Sequence, residues 1–170
     1  REYLCEALCD ATPFSQPGKT LAYHAVSGGF ILGEIVWRVT GRDIREVLQE
    51  EFLDPLGFRW MSYGVAEEDV GEVALNYITG PPTAPPLSTL LSRALGVGLD
   101  ELVDTTNDPR YLTGIVPAAN TVTNANELSR FFEIMRCGGE LDGVRVIEPD
   151  TIRNALEEQS HHELDFSLGF

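Results

Sequence analysis

The 170 residues carry twelve basic against twenty-seven acidic side chains, a formal net charge of −15, and 43% of them are apolar. That length predicts about one domain, burying roughly 70% of its unfolded surface, while the negative charge repels phosphate backbones and argues against nucleic acid as a partner. No run of eighteen apolar residues exists, and the most apolar stretch, Phe30 to Val39, carries Glu34 and Arg38, which argues against a membrane-spanning helix.

In chain order, Glu2 to Asp10 reads as a short helix closed before Pro13, and Pro17-Gly18 marks a turn into Thr20 to Tyr23. From Ser27 the small residues Gly28 and Gly29 lead into Phe30, Ile31, Leu32, Ile35, Val36, Trp37 and Val39, which cover nearly every face of a helix. A helix apolar all round is expected to be buried. Gly41 supplies a left-handed stop, and Asp43 with Glu46 forms the D-x-x-E opening of a helix that runs to about Phe52.

Between Phe58 and Ile78 the pattern is short and mixed, predicting turns and brief extended pieces. Gly80 to Pro86, GPPTAPP, reads as a connector. Leu87 to Leu95 and Asp100 to Val103 read as short helices. Asn124 and Glu127 open an amphipathic helix with Leu128, Phe131, Phe132 and Met135 on its apolar face, where the aromatic pair is expected to pack in the core. Gly138-Gly139 ends it. Asp142-Gly143 turns a short extended piece between Leu141 and Ile147, and Pro149 takes the first position of a last helix through Glu158.

Three cysteines, Cys5, Cys9 and Cys137, are no disulfide framework and are expected to be buried, inert thiols. Cys5 and Cys9 share a helical face, but the C-x2-C spacing of structural zinc sites is missing, so no metal is expected even with His161 and His162 in the chain. The first residues lack the positive-then-apolar order of a signal peptide, and the sequence names no compartment.

Tyr23-His24-Ala25, just before the apolar helix, resembles the second motif of the class C β-lactamase-like serine hydrolases and the related family VIII carboxylesterases. The resemblance continues through Ser27-Gly28-Gly29-Phe30-Ile31-Leu32-Gly33-Glu34-Ile35, Val39-Thr40-Gly41-Arg42 and Asp54-Pro55-Leu56-Gly57-Phe58. It returns at Val116-Pro117-Ala118-Ala119-Asn120 and at Gly138 to Val144. It implies a mainly α (α+β) chain, the helical portion of the penicillin-binding-protein-like transpeptidase fold. It also implies Tyr23 as catalytic general acid/base, with His24, Ala25 and Asn120 as substrate-binding candidates. For Asn120 a turn-capping role is equally open.

In that family a serine on an S-x-x-K helix attacks the acyl carbonyl while the lysine and the tyrosine handle its proton. A free tyrosine titrates at about pH 10, so a phenolate at neutrality takes a pKa lowered by about 3, roughly 4 kcal/mol, from a nearby ammonium. Lys19 is the sole lysine and no serine stands three residues before it; Lys-Thr-Gly and His-x-Gly are absent too. The resemblance therefore implies one partial domain, residues 1–170, without the nucleophile helix and most of the sheet, and without a complete active site. The parent is expected to act on small esters or amides, without cofactor. Ala25, where many β-lactamases carry an asparagine that can bond an amide, tilts it towards esters. Surface exposed by truncation is expected to drive self-association. The alternative is a non-catalytic binding or assembly module on the same scaffold.

Overall fold

The helix signals are realised in chain order in the computed structural model of the protein, which describes residues 2–13 and 26–157. Helix α1 spans Glu2–Asp10 and α2 spans Ser27–Thr40, ended by Gly41 at φ 73° with its N–H donating to the Trp37 carbonyl at 2.7 Å. Asp43 and Glu46 form a reciprocal capping box: Glu46 N donates to Asp43 Oδ1 at 2.9 Å, and Asp43 N donates to Glu46 Oε2 at 2.8 Å. They open α3, Ile44–Leu48, which widens into a π-turn at Gln49–Leu53 and tightens into a 3-10 turn at Asp54–Leu56, closed by left-handed Gly57.

The mixed stretch that follows contains β1, Ser62–Tyr63, and a 3-10 turn at Glu67–Glu72. Helices α4 (Leu87–Leu95), α5 (Leu99–Asn107) and α6 (Pro109–Thr113) come next. Strand β2, Thr121–Val122, pairs antiparallel with β1, with Ser62 opposite Val122 and Tyr63 opposite Thr121. Helix α7 (Ala125–Arg136) leads into the hairpin of β3 (Glu140–Leu141) and β4 (Val144–Arg145). Asp142 at φ 52° and Gly143 at φ 80° supply the two left-handed turn positions that a two-residue hairpin demands. Pro149 starts α8, Pro149–Leu156. The chain is thus mainly helical, with two small two-stranded sheets among the described residues.

The core lies where the irregular segment after α3 meets α7. Leu53, Leu56, Phe58 and Met61 from the first pack with Ile134 from the second, flanked by Phe52, Phe131, Leu141 and Val144. Arg130 closes one edge: it donates to the Leu56 carbonyl at 2.9 Å and its guanidinium lies 4.7 Å from the centre of the Phe58 ring. Gly139 has no room for a side chain, because a Cβ there would fall on the Ile147 carbonyl. That close approach lets the Gly139 carbonyl accept from both Val146 N and Ile147 N.

A buried carboxylate fixes the register between these parts. Asn124 caps α7 by accepting from Glu127 N at 2.9 Å. The Glu127 side chain, 6% exposed, turns away from its own helix and accepts from the backbone N–H groups of Arg59, Trp60 and Met61 at 2.8, 2.9 and 2.7 Å.

Three expectations are corrected. Helix α2 has no buried residue: Leu32 is 61% and Val39 79% exposed, because α1, Ile44 and the Pro117-Ala118 turn cover only one flank among the described residues. On α7 the inward face is Glu127, Phe131 and Ile134, one residue off the expected stripe, so Leu128 and Phe132 face outwards, Phe132 at 64% exposure. The polar Glu127 hides that stripe from a hydrophobic pattern. Cys9 and Cys137 are exposed and Cys5 is half-buried, all three as free thiols. Helix α6 stands where the sequence reading assigned no element: Asp108 caps it through Arg110 N, with Pro109 at the first position.

Replacing Glu127 by alanine leaves three inward-facing amides without their acceptor, and chemical denaturation is expected to show a loss of about 3 kcal/mol. Asn124→Ala, which removes only a cap, is expected to cost about 1 kcal/mol. Equal losses for the two variants would refute the role given to the carboxylate.

Candidate functional site

Beside the β1–β2 pair lies a cavity of about 530 Å³, within the size range of small-molecule sites. Its inner wall is formed by Trp60, Val65, Tyr111, Leu112, Asn120 and Val122. Two polar knots hold that wall in place.

The first knot is Asn120, 4% exposed. Its Oδ1 accepts from Val116 N at 2.9 Å, and its Nδ2 donates to the carbonyls of Tyr111 at 3.0 Å and Gly114 at 2.7 Å. Its own carbonyl accepts from Gly64 N at 2.9 Å. Both amide hydrogens are used on backbone, so Asn120 shapes the wall as a turn-holding residue with no hydrogen left to offer a ligand. The second knot is Arg45 on α3, which donates to the carbonyls of Tyr63, Thr113 and Gly114. Gly64, at φ 65°, sits between the knots; a Cβ there would strike the Gly114 and Leu112 carbonyls.

The outer wall is the acidic turn Glu67–Glu72 and the segment after it, of which Asp69, Glu72, Val73 and Asn76 reach the cavity. Both flanks of this wall are pinned. Val65 N donates to the Leu112 carbonyl at 2.8 Å before the turn. After it, Asn76 N donates to Asn107 Oδ1 at 2.8 Å and Asn107 Nδ2 returns a bond to the Asn76 carbonyl at 2.9 Å, so a side-chain amide pairs with the backbone as a strand would. Tyr111 completes the floor, its hydroxyl donating to the Ala119 carbonyl at 2.8 Å while burial pushes its pKa up.

Of the catalytic and substrate-binding candidates, the described structure includes Asn120 alone. Tyr23, His24 and Ala25 lie outside the described residues, as do Lys19, His161 and His162. The nearest described part of the motif region is the start of α2. There Gly29 packs against Ala118 so closely that a Cβ would stand 2.7 Å from Ala118 Cβ, and Gly33, one turn on, faces Pro117. The two glycines seat α2 on the turn whose next residues, Ala119 and Asn120, line the cavity. Trp60, Asp69, Glu72 and Asn107 were not singled out from sequence; only the Asp108-Pro109 helix start could have pointed to Tyr111 one turn in. A second, more apolar hollow of about 710 Å³ lies between α1 and α2, lined by Tyr3, Leu4, Phe30, Trp37 and Pro117. No group of three or more His, Cys, Asp or Glu side chains is placed to hold a metal among the described residues, and no described helix is long and apolar enough to cross a membrane.

Comparison with known proteins bears on this geometry. Residues 1–168 match the family model described as Beta-lactamase. The chain is similar to the esterase/beta-lactamase LipL of Mycobacterium tuberculosis, 27% identical over 158 residues that make up 86% of this chain and 37% of that protein. It is also similar to the crystal structure of a penicillin-binding protein homolog from Caulobacter crescentus, with a TM-score of 0.71 and 26% identity, covering 94% of this chain and 42% of that one. The chain therefore spans about two-fifths of the length of the relatives it matches.

The short helix that carries Tyr111 also makes a pH prediction. The Arg110 guanidinium and backbone N–H hold the Asp108 carboxyl at about 2. Because the folded value is depressed, the cap contributes stability that is present above the ordinary carboxylate pKa and is lost as pH falls through about 2. An NMR titration of the Asp108 carboxyl carbon is expected to give a midpoint near that value. A midpoint in the ordinary aspartate range would mean that the cap does not form in solution.

Proposed function

Because this chain belongs to the beta-lactamase family, we propose that it is the helical part of a serine hydrolase that acts through an acyl-enzyme on small esters or amides. The observation that carries the reading is the family match across residues 1–168, within which Tyr23-His24-Ala25 stands immediately before α2. Tyr23 is its general acid/base. It takes the proton as a serine hydroxyl bonds to the acyl carbon, gives that proton to the departing alcohol or amine, and serves again when water releases the acid. The serine and the ammonium that lowers the tyrosine pKa come from parts of the parent hydrolase other than these 170 residues, since no Ser-x-x-Lys occurs here. Alone, the chain is one partial domain without hydrolase activity.

The cavity beside Asn120 is the side of the cleft that holds substrate. In this reading His24 and Ala25 contact the substrate, and alanine in place of an amide-bearing side chain favours esters. Asn120 contributes by fixing the wall. The apolar flank of α2, with Leu32 and Ile35 exposed, is the seat for the remainder of the parent fold. The missing Ser-x-x-Lys also favours a second reading, a non-catalytic module that keeps the scaffold for binding.

Two measurements test this. In the full open reading frame that encodes this chain, Tyr23→Phe is expected to lower kcat on a short nitrophenyl ester at least about a hundredfold. An unchanged kcat would remove Tyr23 from the chemistry, and the absence of any hydrolysis by the unaltered protein would favour the module. The 170-residue chain by itself is expected to associate in light scattering and to do so less as Leu32→Lys/Ile35→Lys. A monomer at all concentrations would refute the exposed seat.

A further inference from the structure

Resting on the reading of the cavity as the substrate side of a hydrolase, we propose that its outer wall selects substrates by charge, admitting neutral or cationic acyl groups and rejecting those that bear a carboxylate. Two carboxylates, Asp69 and Glu72, line that wall, and no Lys, Arg or His lines the cavity among the described residues. The carboxylates form no salt bridge among the described residues, whereas Glu133, Glu140 and Asp108 each have an arginine partner. An anionic group entering the cavity would therefore meet unneutralised charge of its own sign.

The wall cannot easily swing these charges away. The turn that carries them is tied to Leu112 through Val65 on one side and to Asn107 through Asn76 on the other. The rest of the lining includes the neutral residues Trp60, Val122, Leu112 and Tyr111. An uncharged acyl body suits it, and a cation would be drawn to the carboxylates. The net charge of −15 acts in the same direction at longer range, lowering the local concentration of anions near the whole surface.

Magnitude follows from Coulomb's law. Unit charges several ångström apart at a partly solvated wall interact strongly enough to change affinity roughly tenfold, an effect that salt weakens.

The test uses the full open reading frame and two esters of similar size, neutral nitrophenyl butyrate and the anionic nitrophenyl monoester of glutaric acid. The neutral ester is expected to have the higher kcat/KM by about tenfold at low salt, and the ratio is expected to shrink as ionic strength rises. In the double variant Asp69→Asn/Glu72→Gln the preference is expected to fall to near parity. A protein that hydrolyses both esters with a ratio indifferent to salt and to the double variant overturns the charge selection and leaves the hydrolase reading standing. A protein that hydrolyses neither overturns the hydrolase reading, and the selection with it.

Discussion

The Glu127 carboxylate is the interaction on which the rest of the structure depends. Residues 59 to 61 form no regular ladder of their own, and their three amides converge on one side chain at the start of α7. Buried N–H groups need acceptors, and an ionised carboxylate offers several in one place. With that anchor set, Phe58 and Met61 pack with Leu53, Leu56 and Ile134. The core follows from the polar anchor as much as the anchor is buried by the core.

The same logic recurs at the cavity. Short strands, single-turn helices and loops cannot satisfy their backbone groups internally, so Asn120 does it for them locally and Arg45 and Asn107 do it across longer sequence separations. Each of these side chains holds a segment that lines or backs the cavity. A concave site requires walls that keep their shape without a ligand, and amide and guanidinium knots supply that rigidity where regular secondary structure is sparse. Gly29, Gly33 and Gly64 complement the knots by letting backbone come within a distance that any Cβ would forbid or crowd.

Helix α2 gives a different kind of information. Its glycine flank is seated against Pro117 and Ala118, while much of its aliphatic surface is open among the described residues. A helix with apolar residues on nearly every face belongs in an interior. Among the described residues α2 has no buried side chain, in a chain that spans about two-fifths of the length of its relatives.

Local signals were legible in the sequence wherever the physics is local. The Asp43–Glu46 capping box, the Gly41 stop, the Asp142-Gly143 hairpin turn and Pro149 at a helix start each act within a few residues, and each stands where the sequence placed it. The ordered motifs also carried the family, because a family's sequence pattern persists whether or not its partners are in view. The inward face of α7, the exposure of α2 and the walls of the cavity were decided by tertiary structure alone. Glu127 meets amides 66 to 68 residues away, and Arg45 meets carbonyls 68 and 69 residues away. No periodicity encodes such a meeting, so a buried glutamate reads as a surface cap and a stripe of leucine and phenylalanine reads as core until the chain has folded.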